Sequence, residues 1–227
     1  MDFTFGIITA GNNEQSINSI IDSIENQNIE RYEIVIIGSC NIVRDNTRVI
    51  NFEESQRKAW ITKKKNMITN HARYENVVYM HDYFRFEEGW YVGFKKFGND
   101  FKLCMNILKN ENGDRYRDWS LWAGDAVSGG VPERTFLLPY EETGLSKYMY
   151  FSGAYWVAKR DIMKEFSLDE SLCWGQGEDV EWSSRVRKKY NFSMNKNSIS
   201  ILTKYKPPIF TLISDEDLLK FKAKVGA

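Results

Sequence analysis

Apolar positions near the start of the chain come first as a run, then with a period, then as a run again. Phe3-Thr4-Phe5-Gly6-Ile7-Ile8-Thr9 has strand length and ends in the polar loop Ala10-Gly11-Asn12-Asn13. Ile17, Ile20, Ile21 and Ile24 then recur at i, i+3, i+4 and i+7, which predicts an amphipathic helix from Glu14 to Gln27. Glu33-Ile34-Val35-Ile36-Ile37 is continuous and apolar, as a strand buried on both faces of a parallel sheet must be, and it stops at Gly38-Ser39-Cys40-Asn41. Strand, helix and strand in this order form a βαβ unit, whose loops gather at the carboxyl ends of the strands, where open α/β sheets bind ligands.

Beyond this unit the pattern predicts a shorter strand over Thr47–Phe52, a Lys-rich helix over Gln56–Ala72 and a strong strand over Asn76–Met80. The stretch from Glu87 to Tyr150 has no sustained period. It mixes Trp90, Tyr91, Trp119, Trp122 and Tyr140 with Gly129-Gly130-Val131-Pro132, so loops and short strands are expected there. Tyr150–Ala158 is strand-like, Arg160–Phe166 and Glu178–Tyr190 read as helices, and Ser214-Asp215-Glu216-Asp217 is the capped start of a last helix through Lys222. The expected class is α/β, a mostly parallel sheet flanked by helices, with no internal repeat.

Composition narrows the picture. The 227 residues, 42% hydrophobic and 15% aromatic with no linker-like run, fit a single domain spanning 1–227. Thirty-one basic residues balance 31 acidic ones, which argues against nucleic-acid binding through a broadly basic surface. Cys40, Cys104 and Cys173 are odd in number and lack a C-x-x-C pair, so neither a disulfide framework nor a zinc site is indicated. With no leader-like apolar segment and no run of membrane-spanning length, a cytoplasmic protein is expected. Asn191-Phe192-Ser193 fits a glycosylation triplet, a pattern common by chance.

Candidate chemistry concentrates in two segments. Cys173-Trp174-Gly175-Gln176-Gly177-Glu178-Asp179-Val180-Glu181-Trp182 sets carboxylates beside glycines and tryptophans at a helix start. Acids in a first helical turn often serve only to cap it. A cap needs neither two glycines nor an indole, whereas a sugar site uses close backbone approach, a stacking plate and a carboxylate able to take a hydroxyl proton. The other segment, Val77-Val78-Tyr79-Met80-His81-Asp82-Tyr83, is a buried strand that stops at a lone carboxylate. Lys63-Lys64-Lys65 reads either as a solvated helix face or as a phosphate contact.

Together these segments resemble the active-site halves of the GT-A glycosyltransferases, in particular the inverting family-2-like enzymes and the β-1,4-galactosyltransferases, which read W-G-x-E-D and M-H-D-x-D or L-D-x-D. The likeness runs in order through Thr9-Ala10-Gly11-Asn12, Ile37 to Asn41, Ile61 to Asn66 and Ser152-Gly153-Ala154-Tyr155-Trp156. It implies a nucleotide-sugar-binding half over about 1–85 and an acceptor-binding half over about 86–227. Asp179 would be the general base, and Glu178, Trp174, Gly175, Gly177 and Trp156 would contact the acceptor. Thr9, Ala10, Gly11, Asn12, Ser39, Lys63, Lys65, Asn66 and Asp82 would contact the donor, and Asp82 would bind Mn²⁺ or Mg²⁺. Phe84 stands where a second Asp would lie if the segment is aligned on M-H-D-x-D, so weak metal binding is expected. The implied activity moves a monosaccharide, with inversion, from a nucleotide diphosphate sugar to a hydroxyl of a glycan or lipid-linked acceptor. The rivals are a catalytically silent binding module of the same fold and a sugar-phosphate nucleotidyltransferase, whose usual Gly-, Arg- and Lys-rich first loop is missing here.

Overall fold

The computed structural model describes residues 1–11, 13–122 and 135–227. Its elements in chain order are β1 (Phe3–Ile8), α1 (Glu14–Glu25), β2 (Tyr32–Ile37), β3 (Thr47–Ile50), α2 (Ile61–His71), β4 (Asn76–His81), β5 (Phe84–Phe86), α3 (Trp90–Phe97) and β6 (Leu103–Asn110). They continue with β7 (Ser120–Trp122), β8 (Thr135–Leu137), β9 (Met149–Tyr150), β10 (Tyr155–Lys159), α4 (Arg160–Glu165), α5 (Glu178–Val186), β11 (Phe192–Leu202), β12 (Thr211–Leu212) and α6 (Asp215–Val225).

Eight strands form one sheet in the order β3-β2-β1-β4-β10-β6-β11-β5, and four short ones a second, β12-β8-β7-β9. In the large sheet β3, β2, β1 and β4 run parallel, as do β6 and β11, while β10 runs against both its neighbours and β5 against β11. The sheet is therefore mixed and mostly parallel. Because β10 is antiparallel to β4, with Tyr155 opposite Met80, the turn before β10 lies beside the carboxyl end of β4. This reversal brings residues from the second half of the chain to the ligand edge of the first.

Side-chain alternation explains how the layers attach. Phe3 and Phe5 point to one face of β1, where their rings lie 5.2 and 5.6 Å from that of Trp90 on α3. Gly6 points to the other face, where a Cβ would come 2.3 Å from Ile68, so its missing side chain lets α2 lie directly on the sheet. Removing a ring such as that of Phe5, which is fully buried, should cost about 3–5 kcal/mol.

Three expectations need adjusting. The Lys-rich helix begins at Ile61, not Gln56, because residues 53–60 make turns that include a left-handed Ala59 at φ 54°. The expected strand over Tyr150–Ala158 is two strands in different sheets, β9 and β10, separated by the turn at 151–154. The aperiodic middle contains the helix α3 and the long strand β6 besides short strands, and Gly129-Gly130-Val131-Pro132 lies outside the described residues.

Candidate functional site

Three parallel strands and one antiparallel turn converge at the carboxyl edge of the large sheet. β1 ends at Thr9, whose hydroxyl donates to Asp82 Oδ2 at 2.6 Å and accepts from the Gly11 N–H at 3.1 Å. The Asp82 carbonyl accepts from Asn13 Nδ2 at 3.0 Å and Ser16 Oγ at 2.7 Å, which fixes this acid to the start of α1. Gly11, at φ 97°, could carry no side chain, since a Cβ would meet the Ser39 carbonyl oxygen at 2.4 Å. The loops after β1 and β2 are thereby packed together, with Ala10 and Ser39 exposed on them. Asn12 lies outside the described residues.

The opposite wall is the start of α5. Asp179 is half-buried, with Oδ2 accepting from the Gly153 N–H at 2.8 Å and Oδ1 from the Val180 N–H at 2.9 Å. Each carboxylate oxygen keeps a further lone pair for a ligand hydroxyl. Gly175 and Gly177 take φ of 80° and 75° with open space around them, so backbone conformation accounts for glycine at both. Trp174, just before them, is 65% exposed and presents its indole to solvent. Glu178 lies beneath Asp179 and is buried; that burial, and next the Asp179 charge, raise its pKa, while Lys65 opposes the rise.

Gly153 joins α5 to α2, and next to it the Ala154 carbonyl accepts from the His81 N–H at 3.3 Å at the end of β4. The Gly153 N–H goes to Asp179, and its carbonyl accepts from Lys65 Nζ at 2.5 Å. Lys65 is fully buried, and burial lowers its pKa to about 8 against the pull of Glu178 and Asp179. Its ammonium also lies 4.6 Å from the centre of the Trp156 ring. Trp156 itself is buried, stacked between Tyr79 and Trp182, so it offers an acceptor no free face.

Lysine at three successive helical positions thus meets three environments. Lys65 faces the core, Lys64 is buried between the Thr9 carbonyl, at 2.7 Å, and Glu54, and Lys63 reaches Glu170 at 3.2 Å over the Trp60 ring. Asn66 is buried and exchanges bonds with Leu168, donating to its carbonyl at 2.9 Å and accepting from its N–H at 3.0 Å. Of the residues expected at the donor, the structure brings Thr9, Ala10, Gly11, Ser39 and Asp82 to one edge. Lys63 and Asn66 instead hold the loop that leads to Trp174, and Lys65 lies buried near Glu178 and Asp179.

His81 stacks on Tyr83, ring centres 5.2 Å apart, and burial together with nearby Lys65 and Lys206 keeps its imidazole neutral well below the usual range. Phe84 is fully buried in the core. No three His, Cys, Asp or Glu side chains converge among the described residues. A hard divalent ion wants several oxygen ligands, so the described residues do not by themselves make up a metal centre. Sequence reasoning missed Arg117 and Lys206, which lie near this edge; both come from segments without period, where nothing marks one basic residue above another.

Neither a family profile nor a curated protein matches the sequence. Solved structures do match in shape. GalNAc-T7 with UDP, GalNAc and Mn²⁺ superposes with a TM-score of 0.66 at 14% identity, over 98% of this chain and 48% of that one. The fold is GT-A. S. aureus TarS 1-349 in complex with UDP-GlcNAc gives 0.61 at 15% identity over 99% of this chain and 65% of that one. The mannosyltransferase PcManGT from Pyrobaculum calidifontis, in complex with GDP-Man and Mn²⁺, gives 0.56 at 12% over 90% and 57%. The chain therefore spans about half to two thirds of the length of these GT-A structures. No helix among the described residues is long and apolar enough to cross a membrane.

Proposed function

We propose that the chain is an inverting glycosyltransferase that moves a monosaccharide from a nucleotide diphosphate sugar to a hydroxyl of a glycan or lipid-linked acceptor. The observation that carries this reading is Asp179, a half-buried carboxylate held by the Gly153 and Val180 N–H groups, the former in the turn whose strand runs antiparallel beside β4. The acceptor oxygen uses a lone pair to bond the anomeric carbon while its proton passes to Asp179. The bond from that carbon to the diphosphate breaks, and its electron pair leaves with the phosphate. Attack from the side opposite the leaving group inverts the centre, by the logic of inverting glycoside hydrolases.

Thr9, Ala10, Gly11, Asn12, Ser39 and Asp82 are assigned to the donor. Trp174, Gly175, Gly177 and Glu178 are assigned to the acceptor, with the exposed indole as a stacking plate. The three free cysteines suit a reducing compartment, and the reaction is assigned to the cytoplasm. Mn²⁺ or Mg²⁺, bound weakly at Asp82, would add positive charge at the phosphates. The lone carboxylate at Asp82 also favours a second reading, a silent sugar- or nucleotide-binding module. Release of free nucleoside diphosphate from a panel of nucleotide sugars, with and without glycan acceptors, separates the two. Acceptor-dependent release supports transfer; tight binding without release supports the silent module.

A further inference from the structure

The site described so far has acids on both walls, yet its leaving group is itself an anion. Arg117 lies on two rings, with its guanidinium carbon 5.0 Å from the centre of Tyr116 and 5.7 Å from that of Phe210. One Nη2 donates to the Tyr116 hydroxyl at 2.5 Å, while its Nε is buried with no hydrogen-bond partner among the described residues. Lys206 places its ammonium 4.9 Å from the centre of the Tyr83 ring, next in sequence to Asp82. Asn110 grips the Lys206 backbone from both sides, donating to its carbonyl and accepting from its N–H, each at 2.8 Å. The Thr203 N–H donates to the Tyr83 carbonyl at 2.9 Å, so the segment that follows β11 is tied to the Asp82 turn.

These two cations lack what some other enclosed basic groups have. Lys64 has Glu54, and Arg115 has Asp118 at 2.7 Å. Arg117 and Lys206 are held on aromatic rings and have no carboxylate partner among the described residues. They also crowd each other: burial, then Lys204 and Arg117, pushes Lys206 below its ordinary pKa. Arg117 lies within electrostatic reach of both Tyr83, the neighbour of Asp82, and Asp179. Lys206, partly desolvated and repelled by Arg117, is the cation that a bound anion would relieve.

We propose that Arg117 and Lys206 form an anion clamp that binds the diphosphate of the donor, supplying from the chain itself positive charge that a single carboxylate recruits only weakly through a metal. The planar guanidinium suits two phosphate oxygens at once, and the ammonium acts as a point charge. The clamp rests on the transferase reading, because the diphosphate is where negative charge grows as the bond to the anomeric carbon breaks. The purely structural alternative, two cations seated on rings for packing alone, predicts no dependence of anion binding on their charge.

Inorganic pyrophosphate, titrated calorimetrically in EDTA, tests the clamp without reference to nucleobase, sugar or turnover. Wild type is expected to bind it, and Arg117→Gln and Lys206→Gln are each expected to weaken binding by about tenfold to a hundredfold, as loss of a charge-assisted bond does. Arg117→Lys, which keeps the charge but not the fork, should lose less. Should Arg117→Gln unfold, because its stem packs on Tyr116 and Phe210, Lys206→Gln decides alone, since it removes only an ammonium above the Tyr83 ring. Unchanged pyrophosphate affinity in Lys206→Gln, or binding that requires added Mn²⁺, overturns the clamp. Failure of the transferase reading looks different: pyrophosphate binds and the variants weaken it, but no nucleotide sugar releases its diphosphate to any acceptor.

Discussion

The Thr9 hydroxyl donates to Asp82 Oδ2 at 2.6 Å and so ties the end of β1 to the end of β4, across 73 residues of sequence. One oxygen of the lone carboxylate is thereby oriented, and the other is left for a ligand. Thr9→Val keeps the shape and removes the donor, leaving Asp82 free to rotate. Donor affinity should fall about fivefold to tenfold, the worth of about 1 kcal/mol for one hydrogen bond, with a larger loss in Asp82→Ala. Calorimetric titration with a nucleotide sugar measures both; equal affinities in wild type and the two variants would place the donor elsewhere.

Gly153 is small for a steric reason. A Cβ there would stand 3.2 Å from both Asp179 Cβ and Glu178 Oε1, closer than side chains ordinarily pack. Gly153→Ala should push Asp179 by a few tenths of an ångström and lower turnover about tenfold, since small displacements of a catalytic group are costly. Donor affinity and thermal midpoint should stay near wild type, and a large fall in the midpoint would make this glycine a packing residue only.

Asp179→Asn is nearly isosteric but cannot take the acceptor proton. General-base catalysis contributes about 10²–10⁴-fold, and turnover should drop by that much while donor binding persists. Transfer rate and donor affinity measured on one preparation check it. Near-normal turnover refutes the base assignment, and lost donor binding reassigns the residue.

Glu178 gives a pH signature. Its folded pKa is raised above the ordinary 4.5, by burial first and Asp179 second. The folded chain then holds a proton that the unfolded chain has released, so this group's contribution to stability is complete below 4.5 and is lost as pH rises through the folded value. Glu178→Gln removes the dependence. Its thermal midpoint should exceed that of wild type at pH 7, with the gap closing on acidification below the ordinary carboxylate value; a gap that widens in acid would show the charge to be stabilising.

Chelation separates protein charge from metal charge. Since no three ligating side chains converge among the described residues, EDTA should lower turnover without abolishing it. Complete loss restored by Mn²⁺ would mean that further ligands complete a centre at Asp82.

The first half of the fold was legible because its strands are buried on both faces and its first helix on one. β1, α1, β2 and β4 therefore carry uninterrupted or strictly periodic apolar residues, and their observed bounds fall within a residue or two of the expected ones. β6 and β11 were not legible, because polar side chains fill buried positions. Asn106 is fully buried and takes the Tyr155 hydroxyl at 2.6 Å and donates to Ser200 Oγ at 3.1 Å, so the pattern reads as a loop. α3 was hidden by Gly93, which looks like a helix breaker and is there because a Cβ would strike the Asn197 carbonyl at 2.1 Å.

In the site, Asp82 and Asp179 stood out because motifs are local. Gly153 as the partner of Asp179 did not, since nothing in Ser152-Gly153-Ala154 tells that β10 reverses direction. Lys65 and Trp156 are typical of what a window of sequence leaves open: a lysine in a basic run reads as solvated, yet here it is wholly buried under a carbonyl and an indole.

That burial makes the site optically readable. Trp156 lies 5.1 Å from Tyr79 on one side and 5.1 Å from Trp182 on the other, with the Lys65 ammonium 4.6 Å from its ring. An ammonium over an indole polarises it, and the effect ends when the proton leaves. Burial pulls the Lys65 pKa down to about 8 against Glu178 and Asp179, so the emission of Trp156 is expected to change as pH passes through that range. A ligand that displaces the Gly153 carbonyl would move the midpoint of this change, giving an emission readout of occupancy beside Asp179 that Trp156→Phe should remove.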